Sequence, residues 1–267
     1  MPAGDRIKLS APERGGFWEI AVLFEDADLL VLDKPADLPA TGQREAPEAP
    51  TLAGLLHAGV RAGKPWSQVR QRGYLAPAHR PDPESSGLFV LAKNRLALAH
   101  LAAQFGTPRP QRRHLVLVHG TPMEDEFEVN VPLAPDERNP GRFRLDPRRG
   151  KKSLTRFAVV ERFRAFTLLH ACPHTERPGQ IRLHLAARRL RVVGDAWHHG
   201  GPLRLSTLKR RYEPKPGTEE KPLIGRPAIH AEQFLLQHPA TGAPLTLAAP
   251  LPKDFAVGLK YLRRYAA

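Results

Sequence analysis

Short apolar runs, each about the length of a β-strand, recur along this chain of 267 residues. Near the N-terminus, apolar runs at 20–24 and 29–32 flank the polar residues 25–28, a pattern that predicts a hairpin. The run at 114–119 is typical of a buried strand, and 155–163 with 166–172 predicts a second antiparallel pair. Further strands are predicted at 88–92 and 245–247.

Apolar residues at helical spacing predict helices between these strands. Thr51 has the chemistry of an N-cap for a helix whose apolar positions continue to Val60. Asn94 is the predicted N-cap of a second helix, and Gly106 is its predicted stop. Residues 180–190 and 254–265 are predicted to be helical as well. Because strands and helices do not alternate regularly, the pattern favours an α+β fold over a doubly wound parallel sheet.

Polar segments rich in proline and glycine separate these elements. Residues 1–15 are predicted to be a flexible N-terminal tail, and residues 16–267 a single domain. Loops are predicted at 35–50 and at the basic connection 108–113. Two further basic segments, 134–153 and 203–225, are predicted to be irregular, and the first has the composition of a mobile cationic loop.

The charge of the chain indicates its class of partner. Lysine and arginine number 41 against 27 aspartate and glutamate residues, which gives a formal net charge of +14 and a pI near 10.5. A field of this sign attracts polyanions, and nucleic acid is the usual one. The same charge also suits a protein that is simply kept soluble, so basicity supports RNA binding without identifying it.

Composition also bears on the compartment. No apolar run approaches the length of a membrane span, and the first residues lack the apolar segment of a signal peptide. The single cysteine, Cys172, excludes an intramolecular disulfide and favours a reducing compartment. These features predict a cytoplasmic protein without a membrane association.

A polar turn at 78–87 precedes the apolar run 88–92 and contains the candidate catalytic carboxylate. Pro81 and Pro83 each fix their own φ and push the preceding residue towards extended geometry. Asp82 is therefore held on a stiff loop, two residues after the cationic Arg80. Stiffness suits a catalytic carboxylate, because rate falls when a reacting group moves. From these residues alone, an ordinary Asx-turn made by Asp82 is the preferred interpretation.

An ordered set of motifs changes that preference. Residues 79–87 read His-Arg-Pro-Asp-Pro-Glu-Ser-Ser-Gly and resemble the His-Arg-Leu-Asp-x-x-Thr-Ser-Gly signature of the RluA family of pseudouridine synthases. Residues 29–35 are similar to the Asp-Lys-Pro strand of the family, and 180–185 to its Gln-Ile-Arg-x-His motif. Further matches lie at 193–195, 229–231, 238–239 and 249–252. The matches follow the order of the family over roughly residues 18–260, and the ordered set is specific where a single tetrapeptide is not.

The resemblance implies both a fold and an activity. The implied fold is that of pseudouridine synthases, with a mixed, largely antiparallel sheet, flanking helices and a central basic cleft. The implied activity is the isomerisation of uridines in stem-loops of ribosomal or transfer RNA, with no metal and no cofactor. No segment resembles the N-terminal S4 RNA-binding domain of many relatives, so recognition would fall to a catalytic domain at 16–267. Relatives need no partner subunit to complete the active site, and a monomer is therefore expected.

The resemblance also implies roles for individual residues. Asp82 matches the catalytic carboxylate, which acts either as a nucleophile on C1′ or as the base that starts elimination. Arg80 matches an arginine that holds the RNA where the base has left its stack, and Arg182 one that pairs with the catalytic carboxylate. Gln180 accompanies Arg182 as a substrate-binding candidate, and His114 stands where the family packs an aromatic ring against the target base.

Three departures from the family pattern support an alternative function. Pro81 replaces leucine in the signature, His114 replaces tyrosine, and Pro178-Gly179 replaces a Thr-His pair before Gln180. Imidazole still stacks on a base and also titrates near neutral pH. The departures leave the fold assignment intact but bear on catalysis. The alternative is an RNA-binding assembly factor or chaperone on the same fold, with weak or absent activity.

Histidines elsewhere raise a third possibility, a metal-dependent hydrolase of nucleic acid. His170 and His174 lie four positions apart, and His198 and His199 are adjacent. Pro173 speaks against one helical face for the first pair, and no cysteine or carboxylate cluster completes a ligand set. No metal site is therefore predicted.

Overall fold

The structure is a computed structural model that describes residues 5–42, 48–69, 73–107, 111–212 and 217–267. The strands are β1 (Arg6–Ala11), β2 (Gly16–Glu25), β3 (Leu29–Lys34), β4 (Ala76–Pro77), β5 (Ser86–Ala92), β6 (Gln111–His119), β7 (Glu126–Asn130), β8 (Leu133–Pro135), β9 (Phe143–Leu145), β10 (Leu154–Arg162), β11 (Phe166–Pro173), β12 (Arg191–Val192), β13 (Ile229–Gln237) and β14 (Pro244–Ala248). The helices are α1 (Leu52–Arg61), α2 (Pro65–Val69), α3 (Arg95–Phe105), α4 (Gln180–Ala187), α5 (Leu205–Leu208) and α6 (Lys253–Tyr265).

These elements group into two compact units. The first is drawn from Met1–Arg112, Pro135–Arg142 and Ala231–Pro250. The second is drawn from Arg113–Ala134, Phe143–His230 and Leu251–Ala267. Each unit has its own hydrophobic core.

The sheet of the first unit runs in the order β1-β2-β3-β5, with every one of these pairs antiparallel. β4 pairs with β5, and β13 pairs with β14. Leu30 and Leu32 of β3 enter one hydrophobic cluster, while Leu29 and Val31 enter another. Because β3 is buried on both faces, its sequence is a continuous apolar run without the usual alternation.

Helices of the first unit pack on these two clusters. Leu52 and Leu56 of α1 join the cluster of Leu30, and Leu101 of α3 joins that of Leu29. Both predicted N-caps are confirmed, since the amide of Gly54 donates to Thr51 Oγ1 at 3.1 Å and that of Ala97 to Asn94 Oδ1 at 2.8 Å. The helix that follows Asn94 ends at Phe105, immediately before Gly106, as predicted.

The second unit has an antiparallel sheet in the order β6-β11-β10-β7, with β12 paired to β6. Its core contains Val116 and Leu169 from the sheet. Ile181 and Leu185 from α4 join the same cluster, with Phe255, Leu259 and Leu262 from α6. The predicted pair of 155–163 with 166–172 is confirmed as β10 and β11.

The predicted fold class, α+β with a mixed and largely antiparallel sheet, is confirmed. The other predicted strands fall within β2, β3, β5, β6 and β14, and the predicted helices correspond to α1, α3, α4 and α6. The helix predicted at 180–190 ends earlier, at Ala187. Among the described helices, none has the length and apolar character needed to cross a bilayer.

The expectation of a flexible tail over residues 1–15 does not hold for residues 6–14. Arg6–Ala11 forms β1, which pairs with β2 in register from Arg6 opposite Ala21 to Ala11 opposite Gly16. A 3-10 helix, Pro12–Arg14, follows it. The alternating burial of Ile7, Leu9 and Ala11 is a strand signal that the polar composition obscures. Residues 1–4 lie outside the described part of the chain.

Two predicted loops contain secondary structure. Within 203–225 lie the short helix α5 and an antiparallel bridge between Leu203 and Ile224. Within 108–113, Gln111 already begins β6. Residues 43–47, 108–110 and 213–216 of the predicted loops lie outside the described residues.

Candidate active site

The loop that carries Asp82 is closed by its own backbone. The amide of Ser85 donates to the Asp82 carbonyl at 3.1 Å, and Ser85 Oγ donates to the same oxygen at 2.7 Å. Ser85 is buried, whereas Asp82 itself is half-buried. The main chain around the carboxylate is thus fixed from one side by a buried residue.

Lys34 braces the same loop from β3. The residue is 1% exposed, and its ammonium group donates to the carbonyls of Pro35 at 2.9 Å, Leu38 at 3.2 Å and Pro83 at 3.0 Å. Three carbonyls match the three donors of an ammonium group, so burial of this lysine is compensated. The Asp-Lys-Pro strand of the sequence is therefore tied to the proline that follows Asp82.

His79 anchors the start of the loop. The amide of Val90 donates to its Nε2 at 3.1 Å, which makes Nε2 the acceptor nitrogen of the ring. The imidazole stacks on Phe105 at 5.0 Å between ring centroids, and the edge of Phe234 lies 5.4 Å away. Arg80 follows directly and is exposed. The buried histidine thus holds the loop on the core while the arginine faces solvent.

Arg182 in the second unit is held by a buried carboxylate. Its Nε donates to Asp195 Oδ2 at 2.8 Å, and its Nη2 donates to Asp195 Oδ1 at 2.5 Å. His198 Nδ1 lies 2.8 Å from Asp195 Oδ2. Burial alone raises the pKa of Asp195, but the bonds and charges of Arg182 and then His198 outweigh it and hold that pKa well below its usual range. Asp195 therefore remains a carboxylate that orients the guanidinium.

Gln180 is an internal strut between α4 and β10. Its amide nitrogen donates to the Leu154 carbonyl at 3.0 Å and to Thr155 Oγ1 at 2.9 Å. Its oxygen accepts from Thr175 Oγ1 at 2.9 Å, and the residue is 3% exposed. Both amide N–H groups of Gln180 are thus bonded within the protein, and the contact with a substrate that the sequence predicts stays a prediction. The arrangement gives Gln180 the task of positioning the helix that carries Arg182.

His184, one turn further along α4, completes this network. Its Nδ1 lies 2.9 Å from Thr155 Oγ1, and its Nε2 lies 3.0 Å from the carbonyl of Val131. Burial lowers the pKa of His184, although the Val131 carbonyl opposes the shift. The ring is fully buried and links three segments of the second unit.

His114 lies in β6, opposite Ala171 of β11, and is half-buried. The structure thus places Arg80 and Asp82 in the first unit and His114, Gln180 and Arg182 in the second. The sequence identified the segments of all five. It assigned no role to Lys34, Asp195 or His198, although the motif matches at 29–35 and 193–195 include the first two.

The segment predicted as a mobile cationic loop contains β9 and a hydrogen-bonded turn. Asp146 Oδ1 accepts from the amides of Arg148 and Arg149 at 3.1 Å and 2.9 Å, and Asp146 Oδ2 accepts from Arg144 Nη2 at 2.7 Å. These backbone bonds, with the charge of Arg144, hold the pKa of Asp146 below its usual range. The turn leaves a row of exposed cations at Arg148, Arg149, Lys151 and Lys152.

One group of ligand-type side chains in the described residues could hold a cation. It consists of Asp26, Asp28 and His238 in the first unit. Asp26 already accepts from two backbone amides at 2.8 Å and lies 2.6 Å from His238 Nε2, while Asp28 accepts from Asn94 at 2.7 Å. These hydrogen bonds explain why the three side chains lie together: they stabilise the turn of the β2–β3 hairpin.

Comparisons with known proteins point in one direction. A family model described as RNA pseudouridylate synthase matches residues 28–187. The chain is 31% identical to an uncharacterised RNA pseudouridine synthase from Chlorobaculum parvum, over 91% of this chain and 74% of that protein. It is 33% identical to ribosomal large subunit pseudouridine synthase D from Nitrosomonas europaea, over 91% and 65% of the two chains. For ribosomal large subunit pseudouridine synthase C from Vibrio vulnificus the identity is 32%, over 91% and 69%.

A solved structure is similar as well. The structure of human RNA pseudouridylate synthase domain containing 4 superposes with a TM-score of 0.65, over 91% of this chain and 93% of that one. The sequence identity is 22%, so this likeness concerns the fold.

Proposed function

The chain belongs to the RNA pseudouridylate synthase family, and we propose that it isomerises specific uridines in stem-loops of ribosomal or transfer RNA with Asp82 as the catalytic carboxylate. It is an RNA pseudouridine synthase, an isomerase that breaks the N1–C1′ bond of a uridine, turns the base and rejoins it through C5. The observation that carries the residue assignment is the bonding of the loop at Asp82, where Ser85 binds the Asp82 carbonyl and Lys34 binds the carbonyl of the next residue, Pro83.

Asp82 has the chemistry that the reaction needs. The carboxylate acts either on C1′ as a nucleophile or as the base that starts elimination, and both roles require a fixed approach to the ribose. The target uridine must first leave its stack, which costs free energy that contacts elsewhere on the RNA must offset. Arg80 is exposed beside Asp82 and is assigned to the RNA that the base leaves behind.

Arg182 and His114 are assigned to the same reaction through the second unit. The role that the resemblance implies for Arg182 is to pair with the catalytic carboxylate, and Asp195 holds its guanidinium in a fixed orientation. His114 takes the place of the aromatic ring that packs on the base. Gln180 acts indirectly, because its amide holds α4 against β10.

Ribosomal RNA is the first substrate to test. Relatives from Nitrosomonas europaea and Vibrio vulnificus carry names that refer to the large ribosomal subunit. A ribosomal substrate in turn implies a cytoplasmic enzyme, which agrees with the single cysteine of the chain. We expect a monomer, and sedimentation of the purified protein would test that expectation directly.

Single-nucleotide mapping of pseudouridine in total host RNA tests the proposal. Cells carrying the wild type, a deletion, Asp82→Ala or Asp37→Ala are compared. Asp37 is an exposed acid of the same unit that accepts from Trp18 at 3.1 Å, and it serves as the matched control. One or a few sites should disappear in the deletion and in Asp82→Ala, and remain in Asp37→Ala.

Two results would contradict the proposal in different ways. Sites that persist in Asp82→Ala but not in the deletion would move catalysis to another residue. A pseudouridine map that the deletion leaves unchanged would favour an RNA-binding assembly factor, if the deletion also causes growth or ribosome defects and a gene copy carrying Asp82→Ala restores them. The departures at Pro81, His114 and Pro178-Gly179 would then mark where catalysis was given up.

A further inference from the structure

The loop 194–201 carries an exposed tryptophan. Trp197 lies in the 3-10 helix Ala196–His198, and 57% of its surface is exposed. The other two tryptophans, Trp18 and Trp66, are half-buried. A single exposed apolar side chain needs no functional explanation by itself. Trp197 differs from such a side chain because it lies on an ordered loop, close in sequence to Asp195, the residue that binds Arg182.

The loop holds Trp197 in a fixed place. The amide of Gly194 donates to the Gly201 carbonyl at 2.8 Å, and the amide of Gly200 donates to the Asp195 carbonyl at 2.8 Å. Gly194 has φ +74, and a Cβ there would come within 2.0 Å of the Arg226 carbonyl oxygen. The close approach of the backbone therefore requires glycine at this position. The backbone that carries Trp197 is thus already ordered, so its ordering costs little entropy on binding.

Trp197 lies beside the network of Arg182. Asp195, two positions before it, binds the Arg182 guanidinium through both oxygens, and His198, the next residue, binds the same carboxylate. Consecutive Cα atoms are about 3.8 Å apart. The Cα of Trp197 therefore lies at most about 7.6 Å from that of Asp195, the residue whose carboxylate binds the arginine of the Gln-Ile-Arg motif.

The charges of the surrounding segment favour a polyanion. Between residues 191 and 212 the one acidic residue is Asp195, which is fully buried and bonded to Arg182 and His198. The same segment contains the cations Arg191, Lys209, Arg210 and Arg211, and also Arg204, which binds the backbone carbonyl of Glu220. An exposed aromatic residue within a cation-rich segment has the composition of surfaces that bind unpaired nucleotides by stacking and by phosphate neutralisation.

We propose that Trp197 is a stacking platform for an unpaired base in a loop of the RNA substrate. This inference rests on the proposed function, because it takes RNA as the substrate. Unstacked loop bases are the part of RNA that proteins read with aromatic side chains, while a paired stem offers its bases no free face. Trp197 should therefore select loops over duplexes.

Binding of two RNA probes to a small set of variants tests the platform. One probe is a fluorescein-labelled stem-loop with unpaired uridines, and the other is a blunt duplex of equal length. The variants are Trp197→Ala, Trp197→Leu and Trp197→Phe. Phe17→Ala is the matched control, because Phe17 is a 62% exposed aromatic residue of the first unit.

A stacking role predicts a specific pattern of affinities. Trp197→Ala and Trp197→Leu should raise the Kd for the stem-loop about tenfold, whereas Trp197→Phe should change it less than about threefold. The Kd for the duplex should not move in any variant, and Phe17→Ala should match the wild type on both probes. Stem-loop binding should quench tryptophan fluorescence in the wild type and markedly less in Trp197→Phe.

Several results would overturn the platform. An unchanged stem-loop Kd in Trp197→Ala would do so, and so would an equal loss on stem-loop and duplex, or an equal loss in Phe17→Ala. Pseudouridine formation by the wild type is measured on the same preparations. If the wild type forms pseudouridine and Trp197→Ala binds the stem-loop as tightly as the wild type, the platform is wrong and the proposed function stands. Trp197-dependent binding without pseudouridine formation supports the platform and contradicts the proposed function, and a wild type that binds no stem-loop overturns both.

Discussion

Polar residues buried in the two units are placed by specific hydrogen bonds. Lys34 donates to three carbonyls, Asp195 binds Arg182 and His198, and Gln180 uses both ends of its amide. Each of these arrangements offsets the cost of removing a polar group from water. Asp33 is different, because within the described part of the chain its half-buried carboxyl has no hydrogen-bond partner. Burial raises the pKa of Asp33 to about 6.

The raised pKa of Asp33 predicts how stability responds to pH. The unfolded carboxyl ionises near pH 4 and the folded one near pH 6, so the folded state binds more protons between these values and stability falls as pH rises. Asp33→Asn removes this loss. We expect the variant to be more stable than the wild type at pH 7 by roughly 1–2 kcal/mol, a figure reduced for solvent screening.

Urea denaturation at two pH values checks the Asp33 prediction. The midpoint of Asp33→Asn should exceed that of the wild type at pH 7, and the difference should be much smaller at pH 4, where folded Asp33 is neutral and the unfolded carboxyl is only about half ionised. The comparison at pH 4 is the internal control. Equal midpoints at pH 7 would show that the carboxyl of Asp33 is well solvated.

At the scale of elements, close backbone approach fixes the strand that follows Asp82. Gly87 at the start of β5 has φ +102, and a Cβ there would lie 2.3 Å from the Ala231 carbonyl oxygen in β13. The signature needs glycine here for two reasons, the left-handed backbone and the lack of space. β5 begins at Ser86, so this glycine lies where the loop of Asp82 passes into the strand.

Gly87→Ala should therefore destabilise the protein by about 3 kcal/mol, because backbone strain and a steric clash add together. Gly242→Ala isolates the first effect, since Gly242 has φ +71 with nothing within 4 Å of a Cβ, and should cost about 1 kcal/mol. Gly42 has neither a left-handed backbone nor an atom within 4 Å of a Cβ, so Gly42→Ala should leave the stability almost unchanged. Thermal unfolding of the three variants checks the order, and equal losses at Gly87 and Gly242 would argue against the close approach to Ala231.

At the scale of the whole molecule, charge is the dominant feature. The formal net charge of +14 supplies a long-range attraction for RNA that is independent of sequence. Part of this charge is locally neutralised, as in Arg263, which binds Glu161 at 2.8 Å. Arg148 and Arg149, by contrast, are exposed on the turn that Asp146 fixes, and in the described structure their side chains make no ion pair.

RNA affinity should consequently depend steeply on salt. A plot of log Kd against log salt concentration should lose about 0.7–0.9 of slope for each phosphate-binding cation that is removed. The double variant Arg148→Gln/Arg149→Gln should therefore have a shallower slope than the wild type. Arg263→Gln is the control and should leave the slope unchanged. Equal slopes in all three proteins would place the phosphate contacts elsewhere.

The sequence predicted many of the elements and the order of the motifs. Strands such as β3, the N-caps Thr51 and Asn94, and the signature around Asp82 depend on residues adjacent in the chain, so local propensity and resemblance were enough to find them. The same reasoning missed β1, whose alternation of Ile7, Leu9 and Ala11 gains meaning only when β2 pairs with it. The pairing of Asp82 with Arg182, the base contact of His114 and the central basic cleft stay predictions.

Only the tertiary structure decided what holds the functional side chains. Lys34 reaches the carbonyl of Pro83 across 49 positions of sequence, and Arg182 meets Asp195 across 13. Gln180 has the residue type of a substrate contact, yet folding buries it against Leu154, 26 positions away. Such contacts arise when separate segments pack together, and burial then decides whether a polar group faces the substrate or the protein. Local sequence carries residue types and spacing, but the partner of a buried group is set by the fold.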